Sequence, residues 1–242
     1  MLCEVEGMIT YDDFVRTILP FGYLPTVVPQ LKSITVGGAL TGLGIESSSF
    51  RYGLVHETIE EIEVLLASGR VVTCTPKNKF KDLFFAFPNS YGTLGYALKI
   101  KVKVVKAKPF VKIEHKQCLS AADFFEEIAA TCKRDDVDYV DGSIFSRKKL
   151  IVTKAVFVDS APATSNYTYM HAYFKSVQRK KIDYLKTYDY IWRWDADWFW
   201  CSKHFGMHNP FLRFLLGPWL LHSAVYWKLM KINQSLRVRQ RL

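Results

Sequence analysis

The sequence shows no paired cysteines, no secretory-signal pattern in its opening residues and no long uninterrupted apolar run. Cys3, Cys74, Cys118, Cys132 and Cys201 are odd in number, lie far apart and form no C-x-x-C pair. That pattern speaks against a disulfide framework or a thiolate zinc site and fits a reducing, intracellular compartment. The opening "MLCEVEGMITYDDF" sets acidic residues where the apolar core of a secretory signal belongs. The best apolar stretch, Pro210–Trp227, is interrupted by Arg213, Gly217, Pro218 and His222. It is too short and too broken for a membrane span, and reads as buried core or as a membrane-surface contact. Internal repeats and low-complexity segments are absent. No G-x-S-x-G elbow and no local Cys–His signature is present, so no catalytic residue is identified. His204 and His208 stand i, i+4 apart without a third ligand, and no metal site is expected.

What is present is basic and aromatic. The 242 residues carry 33 Lys and Arg against 23 Asp and Glu, a net charge of +10. Such a balance permits anionic partners, but Lys99–Lys108 and the terminal "RVRQRL" read equally as solvated faces. No nucleic-acid-binding motif accompanies the charge, and no nucleic-acid partner is expected. Aromatics concentrate in "YDYIWRWDADWFW", Tyr188–Trp200. Trp192, Trp194, Trp198, Phe199 and Trp200 read either as a packed core or as the lining of an apolar substrate pocket, with Asp195 and Asp197 as a polar handle.

Local signals place the elements. Thr10 and Asp13 form a capping pair before "FVRTIL", and that helix should end near Pro20–Gly22. Pro25 and Pro29 make "LPTVVPQLKSITVGG" an extended connector. "EIEVLLASGRVVTCT" reads as a hairpin turning at Ser68-Gly69, with a helix capped by Thr58 and Glu61 as its rival. Phe84–Phe87 is a short apolar run ending in a turn at Pro88-Asn89. Leu98, Ile100, Val102 and Val104 alternate with lysines and mark a half-buried strand. Val111, Ile113 and His115 suggest another. Ser120 and Asp123 cap an amphipathic helix that should turn Phe124, Phe125 and Ile128 inward. Gly142–Val158 reads as a strand pair about Arg147-Lys148, and Asp159–Asn166 as a loop. The first 115 residues or so are strand-rich, and a soft boundary falls near Lys108–Phe110.

The most unusual stretch is "TVGGALTGLGIESSSFRYG", Thr35–Gly53, with Gly37, Gly38, Gly42 and Gly44 close together. Glycines let a ligand approach the main chain, and successive N–H groups in such a loop can cradle phosphate oxygens. Gly37 to Gly42 has the P-loop glycine spacing, but Leu43 stands where that motif needs lysine. "GLGIES" lacks the third glycine of the dinucleotide fingerprint, and "SSSFRYG" is a poor helix start. On spacing alone, a cofactor loop and a structural turn both stand.

The wider context resembles a known family. "PTVVPQLKSITVGGALTGLGIESSSFRYGLVHETIEEIEVLLASGRVVTCTP" is similar to the second half of the FAD-binding domain of the p-cresol methylhydroxylase/vanillyl-alcohol oxidase flavoproteins, called PCMH-type. "DLFFAFPNSYGTLGYALKIKVKVV" resembles that family's next signature. Within it, "TVGG…GIESSS…YGL", "NSYGTLGY" and "NPFLRFLLG" resemble the 24-dehydrocholesterol reductase, or diminuto-like, group of delta(24)-sterol reductases. The likeness runs from Met1 to Leu242 and is strongest over Thr35–Val105.

The resemblance implies an α+β fold. Residues 1–108 would be the C-terminal part of the FAD-binding domain, and 109–242 part of an aromatic-rich substrate domain. It implies non-covalent FAD along Thr35, Val36, Gly37, Gly38, Ala39, Leu40, Thr41, Gly42, Leu43, Gly44, Ile45, Glu46 and Ser47, with a second contact at Gly92, Thr93 and Gly95. Ser48 and Ser49 read as turn caps, Glu46 as a paired structural carboxylate, and His56 as structural rather than a flavin attachment point. The implied activity is reduction of a carbon–carbon double bond of an apolar, sterol-like substrate with NADPH as donor. An FAD-linked alcohol oxidase or dehydrogenase is the alternative, as is a non-catalytic fragment that binds no FAD. The family's earlier, pyrophosphate-gripping subdomain has no counterpart in this sequence, so a missing N-terminal FAD subdomain and a peripheral membrane are the expected partners. The expected location is cytoplasmic or membrane-associated.

Overall fold

The computed structural model describes residues 1–167, 172–195 and 209–221, together with 223, 225 and 228. Helices and two antiparallel sheets share one main core, an α+β architecture. The first sheet comprises β1 (Leu2–Glu6), β2 (Tyr23–Pro25), β3 (Ile59–Leu65), β4 (Val71–Cys74) and β5 (Tyr96–Lys106). Its order is β1-β5-β3-β4, with β2 also paired to β5.

β5 organises this sheet through its alternation. Ile100, Val102 and Val104 are buried, while Lys99, Lys101 and Lys103 point to the opposite face. On that face Lys101 lies opposite Glu4 and Glu61, and Lys99 opposite Glu6 and Glu63. The Lys101 ammonium is 2.8 Å from Glu61 and that of Lys103 is 2.8 Å from Glu60. Opposite charges set directly across a ladder stabilise the pairing. The basic run is therefore a charge-paired sheet face. β3 and β4 form the expected hairpin. Gly69 takes the left-handed turn position at φ 79, and Leu66 N–H donates to the Arg70 carbonyl at 2.9 Å.

The helix α1 (Tyr11–Ile18) starts where its capping pair predicts: the Thr10 hydroxyl accepts from Asp13 N–H at 3.1 Å and donates to its carboxylate at 2.7 Å. The connector after β2 is extended, but it stops at Thr35. The glycine stretch is helical: α2 spans Val36–Gly42, and α3 spans Ser49–Tyr52, where no helix start is legible. The reason is burial. Val36, Ala39 and Leu40 are spaced i, i+3, i+4 and all pack into the core, and that stripe overrides the poor helix propensity of glycine. The run after Pro76 forms α4 (Lys81–Ala86).

The second sheet contains β6 (Phe110–Cys118), β7 (Tyr139–Ser146), β8 (Lys149–Val158) and β9 (Ile182–Lys186), in the order β7-β8-β6-β9. One face is covered by α5 (Ala121–Cys132), capped by Ser120, whose Phe124 packs with Cys118, Leu150 and Val152. Phe125, expected inward, is 65% exposed. Phe124 and Ile128 share an i, i+4 stripe, and Phe125 falls a full 100° step outside it. The other face meets α6 (Tyr173–Val177) and α7 (Thr187–Ile191) and joins the main core through Ile113, Ile151 and Leu185. The helix α8 (Pro210–Leu220) exposes Phe211, Phe214, Leu215 and Leu216 instead of burying them. Among the described residues, no helix is long and apolar enough to cross a membrane.

Two glycines of α2 separate by what surrounds them. A Cβ built on Gly37 would sit 2.8 Å from the Gly7 carbonyl oxygen, whereas one on Gly42 meets nothing within 4 Å. Gly37→Ala should therefore lower stability by about 1–3 kcal/mol through backbone displacement. Gly42→Ala should raise it by about 0.5–1 kcal/mol by removing glycine from a helix. Urea unfolding of the two variants checks this, and equal effects would contradict it.

Candidate functional site

α2 presents two faces. The inward face is the apolar stripe, and the outward face carries Gly38, Thr41 and Gly42. The Thr35 hydroxyl caps the helix by accepting from Gly38 N–H at 3.1 Å, and Gly37 N–H donates to the Gly7 carbonyl at 2.8 Å. These two N–H groups are thus committed within the protein. Thr41 accepts at its carbonyl from Tyr91 N–H at 3.2 Å. That bond sets the loop of Gly92, Thr93 and Gly95 beside the end of α2. Gly92 has φ 81 and Gly95 φ 142, and the Thr93 hydroxyl donates to Ser90 at 2.7 Å. Beyond Gly42 the chain turns at Leu43, with φ 59, and Ile45 is 72% exposed. The N–H groups of Gly44 and Ile45 have no acceptor among the described residues.

The far end of the segment is buried against the second sheet. The Ser47 carbonyl accepts from Val140 N–H at 2.8 Å. Its hydroxyl accepts from the Arg193 guanidinium at 3.3 Å, and the same nitrogen reaches Asp141 Oδ2 at 2.7 Å. Arg193 also donates to the Tyr190 carbonyl at 2.9 Å and lies 4.0 Å from the centre of that ring. Glu46 accepts from Gln30 N–H at 2.9 Å. Burial pushes the Glu46 carboxyl up to about 7, with Asp141 acting in the same direction and Gln30 N–H and Arg193 against it. Ser48 donates to the Thr26 carbonyl at 2.8 Å, and the Ser49 hydroxyl accepts from Glu46 N–H at 3.0 Å. Both hydroxyls thus fasten the chain locally.

Two cavities flank these elements. One, of about 440 Å³, lies against β7 and is lined by Gln30, Asp141, Ile144, Phe145, Phe174 and Trp194. The other, of about 470 Å³, opens beside Leu40 on the inward side of α2 and is lined by His56, Ile59, Ile62, Phe84 and Phe85. Of the aromatic cluster, Trp194 reaches the first cavity, while Trp192 is 4% exposed and packs in the core. Asp195 is no handle to that cavity. It is 1% exposed and accepts from Lys32 N–H at 2.9 Å and the Ser223 hydroxyl at 2.7 Å. Trp198, Phe199, Trp200, Asp197, His204, His208 and the terminal basic run lie outside the described residues. Among the described residues no cluster of potential ligands could hold a metal. Sequence reasoning missed Arg193 and Asp141. The one signal for Arg193 is a charge between two tryptophans in a run too apolar to expose it.

The outward face of α2 fits a bound cofactor. Gly42 leaves bare backbone where no protein atom requires it, and Gly44 and Ile45 add unused donors next to it. Residues 1–75 match the family model of the FAD binding domain. Over those residues the chain is similar to FAD binding domains, and its α+β architecture is consistent with a PCMH-type domain of that kind. In sequence it groups with proteins named delta(24)-sterol reductase. It is 29% identical to the one from Homo sapiens, over 99% of this chain and 48% of that protein. It is 38% identical to the one from Pisum sativum, over 48% and 20% respectively. It is 28% identical to cytokinin dehydrogenase 3 of Arabidopsis thaliana, over 58% and 27%. The chain spans about half the length of the full-length curated relatives it matches, at 48%.

Glu46 makes stability depend on pH. Its carboxyl titrates at about 7 in the fold and near ~4.3 when unfolded. Between these values the folded chain holds the proton more tightly. The contribution is complete below about pH 4 and is lost as pH rises through 7, amounting to about 3–4 kcal/mol. Glu46→Gln keeps an acceptor for Gln30 N–H without the buried charge. It should be more stable than the parent by about 2–3 kcal/mol at pH 8 and equal to it near pH 4, as read by urea unfolding.

Proposed function

We propose that the chain forms part of an FAD-dependent reductase that saturates a carbon–carbon double bond of an apolar, sterol-like substrate, with NADPH as the donor. The net reaction adds a hydride from NADPH to one carbon and a proton to the other, releasing NADP⁺. Bound FAD would supply the hydride-transfer chemistry. The observation that carries this reading is the bare backbone at Gly42 within a segment matched to an FAD binding domain. The chain's own residues do the rest. Thr35 to Ser47 would hold the cofactor non-covalently on the outward face of α2, with Gly92, Thr93 and Gly95 alongside. Gly44 and Ile45 would donate from the main chain. Gln30 ties the two functions together, because it lines the cavity of about 440 Å³ and holds Glu46 at the end of the cofactor segment. That volume is within the range of small-molecule sites, and Ile144, Phe145, Phe174 and Trp194 give it an apolar wall. This half of the chain, residues 109–242, would be the substrate side and 1–108 the cofactor side. The exposed Phe211, Phe214, Leu215 and Leu216 of α8 supply an apolar face for a membrane surface.

The test is an absorbance titration of the purified chain with FAD. Flavin absorbance bands that remain with the protein after gel filtration are expected. Gly42→Leu places a side chain where a cofactor would lie but where no protein atom stands. It should fold with a melting temperature no lower than the parent's and lose FAD retention by tenfold or more. Retention equal to the parent's would remove Gly42 from the site.

A further inference from the structure

We propose that Asp141 selects the substrate: its second carboxylate oxygen accepts a hydrogen bond from a hydroxyl group on an otherwise apolar molecule seated in the cavity beside β7. The inference deepens the reductase reading above and rests on it. Asp141 is part of the cavity wall, which Ile144, Phe145, Phe174 and Trp194 line on the apolar side and Gln30 and Ser143 on the polar side. Its Oδ2 is held by Arg193 at 2.7 Å, and its Oδ1 has no hydrogen bond among the described residues. The Asp141 side chain keeps 24% exposure while Arg193 keeps 5%, so the carboxylate is the accessible member of the pair.

The chemistry of the pair defines what it recognises. A hydroxyl that leaves water for an apolar cavity loses its hydrogen bonds and needs a replacement there. An ionised acceptor fixed by a neighbouring guanidinium is a strong one. A ketone or ether of the same shape carries no donor and leaves the carboxylate oxygen desolvated and unpaired, and that asymmetry produces discrimination. An ammonium group would also donate, but it would stand next to the Arg193 charge, and the ion pair already balances Asp141. A neutral alcohol with an apolar body is the ligand class that satisfies both groups.

The experiment is calorimetric titration of the full chain with trans-4-tert-butylcyclohexanol and with its methyl ether, which differ in the donor alone. The parent chain should bind the alcohol about tenfold more tightly than the ether. In Asp141→Asn the amide oxygen serves Arg193 and its NH₂ faces the cavity, so the ratio should fall to about one. A ratio near one in the parent, a ratio in Asp141→Asn equal to the parent's, or no binding of either probe would each overturn the assignment. The parent measurement needs no variant to fold. FAD retention, read on the same samples, separates the two readings. An alcohol preference without FAD binding would sink the flavin proposal and leave Asp141 standing, and FAD binding with a ratio near one would do the reverse.

Discussion

The guanidinium of Arg193 holds the two sheets in their working relation. At 6% exposure it has left water almost completely, a position that is tenable only with partners. It finds them on different elements: Asp141 on β7, Ser47 at the end of the glycine segment, and the carbonyl and ring of Tyr190 on α7. Removing one partner of such a buried pair costs about 3–5 kcal/mol, because the remaining charge stays where water cannot reach it. The bond from Val140 N–H to the Ser47 carbonyl reinforces the same junction. The placement of the segment that would carry a flavin is therefore set from outside the first sheet.

The glycines of that segment answer different needs. Gly37 is required because the Gly7 carbonyl passes beneath it, and Gly44 because Val55 Cγ2 would lie 2.7 Å from any Cβ. Gly42 has neither reason. A helix that carries glycine without a packing demand gives up about 0.5–1 kcal/mol. Such a loss, next to two unused N–H groups, points to something outside the chain that needs close approach. Sorting glycines by the atoms around them separates scaffold from site more sharply than their spacing does.

Much of the scaffold was legible where one local interaction decides the outcome. The Thr10–Asp13 and Ser120–Asp123 caps, the Ser68-Gly69 turn and the lysine alternation of β5 all lie within a few residues of their partners. The α2 helix was hidden because Gly37, Gly38 and Gly42 suggested a loop, although Val36, Ala39 and Leu40 carried the helical stripe. β9 was missed because the five residues Ile182–Lys186, following Lys181, become a strand only through pairing with β6, which is remote in sequence. Arg193 and Asp141 illustrate the same limit at the site. They are joined by one ion pair across a fold that only the sheet order brings together. The resemblance pointed to the segment proposed to carry a cofactor; it could not point to the residue that anchors its far end.

The chain from Gln30 to Ser47 lines the cavity at one end and holds the segment proposed for the cofactor at the other, and Glu46 bridges the two through Gln30 N–H. A carboxyl lifted to about 7 by burial changes charge close to neutrality. When Glu46 ionises, a negative charge is added beside Asp141, and the Arg193 guanidinium must answer both. Each ionised carboxylate weakens the other's hold on that single cation, since like charges disfavour one another in a poorly solvated site. The cavity wall and the glycine segment are thus coupled through one positive charge, and the geometry that holds the proposed flavin segment in place is the same geometry that leaves one oxygen of Asp141 open to the cavity.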